Sequence, residues 1–186
     1  MGIQVAQSIT CNSGSPVSTI VKGVKRAMAG EYSRELSAKV FAGQCQLIEL
    51  GFRQGGPAGY GLRRILVDQH GLMKSELQRG EHKCLQTDRV ILMPGPESEI
   101  RIVNLVYNWF IDESLNEYEI AARLNEMRVR TDLGREWTRA TVREVLTNEK
   151  YIGNNVYNRV SFKLKKTRVV NPPDMWSRKE GAFQLY

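Results

Sequence analysis

The chain has 186 residues, is 41% hydrophobic and carries a formal charge of +7, with a pI near 9.5. That length suits one ordinary domain or two small ones, and no apolar run approaches the roughly 18–20 residues that a membrane span needs. The opening "MGIQVAQSIT" lacks the basic start and apolar stretch of a signal peptide, so a cytoplasmic protein with no membrane partner is expected.

The basic excess is uneven. Between Arg128 and Lys179 stand thirteen Lys/Arg against five Asp/Glu, a net of +8, which leaves about −1 for the remainder. A basic block on a neutral body points to a polyanion partner, nucleic acid first. Cys11, Cys45 and Cys84 are far apart and odd in number, and His70 and His82 have no ligand-like neighbours. They read as reduced thiols and surface imidazoles, with no metal and no cofactor expected.

In chain order, "GIQVAQSI" alternates like a strand and "TCNSGSP" has turn chemistry. From about Val17 to Leu50 apolar residues recur close to a 3.6 period, at Ile20, Val24, Met28, Tyr32, Leu36, Val40, Leu47 and Ile48 among others. At ~1.5 Å per residue this helix is roughly 50 Å long. A small domain cannot bury so long a stripe alone, so part of it is expected to meet another chain or another part of a larger protein. "GFRQGGPAGYG" (Gly51 to Gly61) then ends the helix with five glycines and a proline. It matches no nucleotide-binding glycine fingerprint. Two readings stand: a hinge, or an extended segment lying along DNA with Arg53, Arg63 and Arg64 supplying charge. "LRRILVD" and "LMKSEL" about "QHG" predict a hairpin, and "DRVILMP" a third strand.

Gly95-Pro96 starts a helix with Pro96 at its first position, burying Ile100, Val103, Val106, Tyr107, Phe110 and Ile111. Asn116 with Glu119 three residues on is a capping-box start for a helix over 117–127 that buries Ile120, Ala121 and Leu124. Thr138 is the expected N-cap of a third helix through about Thr147, with Val142, Val145 and Leu146 inward. "YIGNNVYNRVSFKLKK" turns at Gly153 and continues as a strand or ribbon. The fold class is thus α+β: a long N-terminal helix, then a small domain with short strands and a winged helix-turn-helix-like core.

Winding the 138–147 helix at 100° per residue sets Ala140, Glu144 and Thr147 opposite its core stripe, with Arg143 on the flank. In a major groove Arg143 and Thr147 reach base edges, while Arg135, Arg139 and Lys150 meet phosphates and Thr138 opens a helix end with free amides. An ordinary solvated helix carries similar charges. Two short helices before it and the run "KLKK" after it favour the groove-facing reading. Lys163, Lys165, Lys166 and Arg168 then form a phosphate-binding wing.

Together these segments resemble the large serine site-specific recombinase family. "VKRAMAGEYSRELSAKVFAGQCQLIELGFRQGGPAGYGLRR" is similar to the long helix leaving that family's catalytic domain and entering its recombinase domain. "EIAARLNEMRVRTDLGREWTRATVREVLTNEKYIGN" is similar to its helical core. The resemblance implies three parts: 1–50 as the end of a resolvase-like catalytic domain with its linker helix, 51–62 as a Gly-rich linker, and 63–186 as a DNA-binding recombinase domain, truncated at its end. It implies double-stranded DNA as partner, homo-oligomers through the 17–50 helix, and strand exchange through a phosphoserine in the parent protein. The Tyr-x-Arg-x-Ser-like motif that would carry the serine does not occur here, so this piece is expected to bind without catalysing. Two other readings stay open: a winged helix-turn-helix regulator with a helical dimerisation arm, and a protein-interaction module whose basic surface meets acidic protein.

Overall fold

The computed structural model describes residues 16–162 and 167–183. The strand expected in "GIQVAQSI", the turn after it and Cys11 lie outside these, as do Lys163, Lys165 and Lys166. Among the described residues, seven short strands and four α-helices make the chain α+β.

Helix α1 spans Pro16–Glu49. Its apolar stripe is mostly uncovered: Ile20, Val24, Met28, Tyr32, Leu36 and Val40 are all exposed. Among the described residues, the C-terminal end docks on the later strands. Ile48 is fully buried, Phe41 stacks on Tyr157 with centroids 6.1 Å apart, and the Tyr157 hydroxyl donates to Gln44 Oε1 at 2.5 Å.

The glycine segment leads into β1 (Leu62–Val67), which lies between β2 (Met73–Leu77) and β3 (Arg89–Pro94) in an antiparallel sheet of order β2-β1-β3. The hairpin and third strand are where the alternation places them. Leu62 and Leu92 turn from this sheet into the core, beside Val103 and Val106 of α2 (Glu97–Ile111). Gly61 explains the close approach of sheet and helix. Its φ is +75°, and a Cβ there would stand 3.1 Å from Val103 Cγ2, so a side chain would be strained on the backbone and tight against α2.

Two details of α2 differ from expectation. Pro96, with ψ 142°, is the N-cap rather than the first helical residue. Phe110 and Ile111 are exposed, because the chain leaves the core there: Ser114 takes a positive φ and Leu115 packs in their place, its N–H bonding to the Trp109 carbonyl at 3.0 Å.

Helix α3 (Glu117–Glu126) starts with the expected capping box, Asn116 accepting from Glu119 N–H and Glu119 from Asn116 N–H. Ile120, Ala121 and Leu124 are buried as the period requires. Twelve residues separate α3 from α4 (Arg139–Thr147), far more than the roughly 3–4 of a tight helix-turn-helix turn. The connection is nevertheless pinned. Asn125 bonds both ways to the Trp137 backbone, Nδ2 to its carbonyl at 2.9 Å and Oδ1 from its N–H at 2.8 Å. The Trp137 ring is buried, edge-on to Tyr60 at 4.9 Å.

After α4 a single 3-10 turn, Glu149–Ile152, ends at Gly153 with φ +84°. A Cβ there would lie 2.7 Å from the Phe183 carbonyl oxygen. The chain then forms a two-stranded ribbon rather than one continuous strand: β4 (Asn155–Tyr157) pairs with β7 (Ser177–Lys179), and β5 (Val160–Ser161) with β6 (Val169–Val170). No helix among the described residues is long and apolar enough to cross a membrane.

The packing makes a clear contrast. Leu124→Ala in the core should cost about 2–5 kcal/mol, whereas Leu36→Ala on the uncovered stripe of α1 should change stability by less than about 0.5 kcal/mol. Urea unfolding of the two variants beside the parent chain measures both.

Candidate nucleic-acid interface

Helix α4 is oriented by its two faces. Val142 and Val145 are buried against α2 and α3, and the Tyr107 hydroxyl donates to the Val145 carbonyl at 2.9 Å, fixing the C-terminal turn. Thr138 caps the start, its Oγ1 accepting the Thr141 N–H while Thr141 Oγ1 accepts the Thr138 N–H. Burial of one face forces the other outward: Ala140, Arg143, Glu144 and Thr147 are all exposed. The Thr147 hydroxyl donates to the Arg143 carbonyl at 2.7 Å, so in this rotamer its oxygen can only accept from a partner.

Both arginines of the helix lean toward α3. Arg139 Nε stands 3.4 Å from Glu117, and its guanidinium lies 5.4 Å from the centroid of the Tyr118 ring. The hydrogen bond to Glu117 raises its pKa further above its ordinary value. Arg143 Nη1 is 3.9 Å from Glu117, and its side chain is 61% exposed. Exposed ion pairs of this kind are screened by solvent and contribute little, too little to withhold either arginine from a polyanion. Arg135, in the loop before Thr138, has an exposed guanidinium with no hydrogen bond or ion pair among the described residues. Arg135, Thr138, Arg139, Arg143 and Thr147 thus lie on one helix and its lead-in.

The linker residues have different surroundings. Arg63 forms a bidentate pair with Glu99 of α2, at 2.9 and 2.7 Å, with Glu76 3.4 Å away. Its hydrogen bond to Glu99 raises the guanidinium pKa and holds the Glu99 carboxyl below its usual range. Glu99 also accepts the Gly61 N–H at 3.0 Å. This arginine therefore fixes the end of the linker to α2. Arg64 donates to the Gln78 carbonyl. Arg53 is largely enclosed: one Nη reaches Asn155 Oδ1 at 3.5 Å, while its Nε is buried without a partner among the described residues. Burial lowers its pKa, and the nearby Arg64 lowers it further.

Lys150 joins the two sets. It follows α4 by three residues, yet its ammonium donates to the carbonyls of Pro57 and Ala58, both at 3.0 Å. Beside it the Tyr151 hydroxyl donates to the Tyr60 carbonyl at 2.8 Å and Asn155 Nδ2 to the Phe52 carbonyl at 3.1 Å. The glycine segment is thus docked along residues 150–155. Of the wing residues, Arg168 is exposed beside β6, and the other three lie outside the described residues.

Sequence reasoning missed Arg159. It follows β4, its guanidinium 5.0 Å from the Trp176 ring centroid, and lines a cleft of about 180 Å3 with Arg53 and Lys150. No local signal marks it, since the cleft is assembled from segments a hundred residues apart. Among the described residues no group of three or more His, Cys, Asp or Glu could hold a metal ion, and Cys45 and Cys84 are free thiols.

Burial, with Arg53 and Arg159 close by, pushes the Lys150 ammonium down to about 8, against a smaller opposing pull from Glu144. Its folded pKa lies below the unfolded value, so the folded chain releases this proton first. The residue's contribution to stability therefore rises between about pH 8 and the ordinary lysine range. A carbon-13 titration of the lysine ε positions should show one signal moving near pH 8 that is absent from Lys150→Gln. A set with no signal moving below about pH 10 would contradict the burial described.

Residues 97–184, from α2 through the end of the ribbon, match the family model described as Recombinase. No curated protein and no solved structure matches the chain. The match covers α2, α3, α4 and the ribbon strands, including all of the part whose sequence resembles the helical core of serine recombinases. Over residues 97–184 the chain is similar to the Recombinase family model, which is consistent with the serine recombinases.

Proposed function

We propose that this chain is the sequence-specific DNA-binding part of a large serine site-specific recombinase. The observation that carries the reading is the outward face of α4. Arg143, Glu144 and Thr147 are exposed on a helix whose other face is locked into the core of a Recombinase domain. Laid in a major groove, Arg143 can pair with guanine O6 and N7, Glu144 can accept from cytosine N4, and Thr147 offers an acceptor and a methyl group. Arg135, Arg139 and Lys150 serve phosphates, as does the helix start at Thr138. The basic run Lys163, Lys165, Lys166 and Arg168 follows the neighbouring backbone as a wing.

In this reading residues 1–50 belong to the end of a catalytic domain, 51–62 are the linker, and 63–186 the DNA-binding domain. The linker crosses the minor groove with Arg53 and Arg64 facing phosphates, while Arg63, engaged by Glu99, holds its end in place. The parent protein exchanges DNA strands through a phosphoserine formed elsewhere in its chain, and this part binds a half-site of the recombination sequence. The uncovered stripe of α1 pairs protomers in the parent assembly, which works on cytoplasmic, nucleoid DNA.

The contacts divide by consequence. Arg143→Ala should cost about 1–3 kcal/mol on a selected duplex and relax preference at one base pair. Lys165→Ala should weaken selected and random duplexes alike and lower the salt slope by about 0.9. Fluorescence anisotropy on both duplexes at several salt concentrations measures this. Equal losses on selected and random DNA for Arg143→Ala would remove α4 as the reading helix.

A further inference from the structure

The cleft lined by Arg53, Asn148, Lys150, Asn154 and Arg159 is short of negative charge. Its three cations come from three places: the linker, the turn after α4, and the strand end after β4. None makes a hydrogen bond or ion pair with a carboxylate among the described residues, and Glu144 acts on Lys150 only through space. Arg53 is held by the Asn155 amide, Lys150 by two linker carbonyls, and Arg159 lies over Trp176. The one acid on the cleft wall, Glu149, is engaged by Arg178 at 2.7 Å and by Asn154 Nδ2 at 3.1 Å.

Like charges converging in a partly desolvated site repel one another, and an anion between them removes that cost. Arg53, with its Nε buried and unpartnered, and Lys150, with two of its three N–H groups committed, both gain from an acceptor. At about 180 Å3 the cleft is smaller than the roughly 300–1,000 Å3 of pockets that enclose whole small molecules. Such a space takes one charged group of a larger partner.

We infer that this cleft binds a single phosphate group of the DNA backbone, bridging Arg53, Lys150 and Arg159. The assignment rests on the DNA-binding reading and adds to it a named contact and a consequence. Lys150 also ties down Pro57 and Ala58, so a phosphate here locks the linker against the base of the ribbon. DNA binding then fixes the path by which α1 leaves the domain. The depressed Lys150 pKa agrees, since an anion in the cleft would return it toward the ordinary lysine value.

The test uses the 186-residue chain in two arms. In the first, inorganic phosphate is titrated against chloride at constant ionic strength while the side-chain NMR signals of Arg53, Lys150 and Arg159 are followed. Saturable shifts with phosphate alone, lost in Arg159→Gln, are expected. In the second, duplex binding is measured against salt for the parent chain, Arg159→Gln, Arg159→Lys and Arg101→Gln, the last an exposed arginine of α2 outside the cleft. Arg159→Gln should lower the slope by about 0.9, the value for one phosphate contact. Arg159→Lys, which keeps the charge, and Arg101→Gln should leave it unchanged. Duplex binding by the parent chain with identical slopes for Arg159→Gln and Arg101→Gln would overturn the cleft assignment and leave the DNA reading standing. Phosphate shifts in a chain that binds no duplex would overturn the DNA backbone as the source and leave free phosphate as occupant. Phosphate acting no differently from chloride would remove the site, and the parent chain's own titration gives that result even if a variant fails to fold.

Discussion

A glycine-rich segment has few ways to satisfy its own backbone, and the arrangement of this domain turns on how that demand is met. Residues 51–61 form no strand or helix, so their carbonyls need partners from outside. Lys150, Tyr151 and Asn155 supply them, reaching the carbonyls of Pro57 and Ala58, Tyr60 and Phe52. Glu99 adds the partner for the Gly61 N–H and holds Arg63 as well. The effect is a seam between the chain's first third and the turn that follows α4. The end of α1 and the base of the ribbon are joined through Phe41, Gln44 and Tyr157.

The seam also sorts the basic residues by role. Those committed to the fold have short, directed partners: Arg63 on Glu99, and Lys150 on linker carbonyls. Those on α4 have loose ones, with Glu117 3.4 and 3.9 Å from Arg139 and Arg143. Exposed pairs at such distances contribute little to stability. Within the basic 128–179 window, Arg139 and Arg143 thus keep only loose ion pairs among the described residues, while Lys150 positions the backbone of the linker.

Much of the architecture was legible in the sequence because local rules governed it. The capping box of Asn116 and Glu119, the Thr138 cap, the buried Ile120, Ala121 and Leu124, and the left-handed Gly153 each follow from a few adjacent residues. Periodicity failed where the chain left the core before its pattern ended, as at Phe110 and Ile111, and spacing could not give the twelve-residue path between α3 and α4. The candidate site was legible only in part. Arg143 and Thr147 face outward as the helical wheel requires. The engagement of Arg63 by a glutamate 36 residues away, and of Lys150 by carbonyls more than ninety residues away, depends on tertiary contact and leaves no local trace. For the same reason Arg159 became a candidate only once the cleft around it was formed.

Base reading by α4, with the surrounding cations on phosphates, is tested most directly by selecting duplexes from a random-sequence pool with this chain and measuring their binding across several salt concentrations. A reproducible motif together with a steep loss of affinity as salt rises is expected. A steep salt dependence with no motif would contradict base reading by α4, and no duplex binding at low salt would contradict the nucleic-acid interface itself.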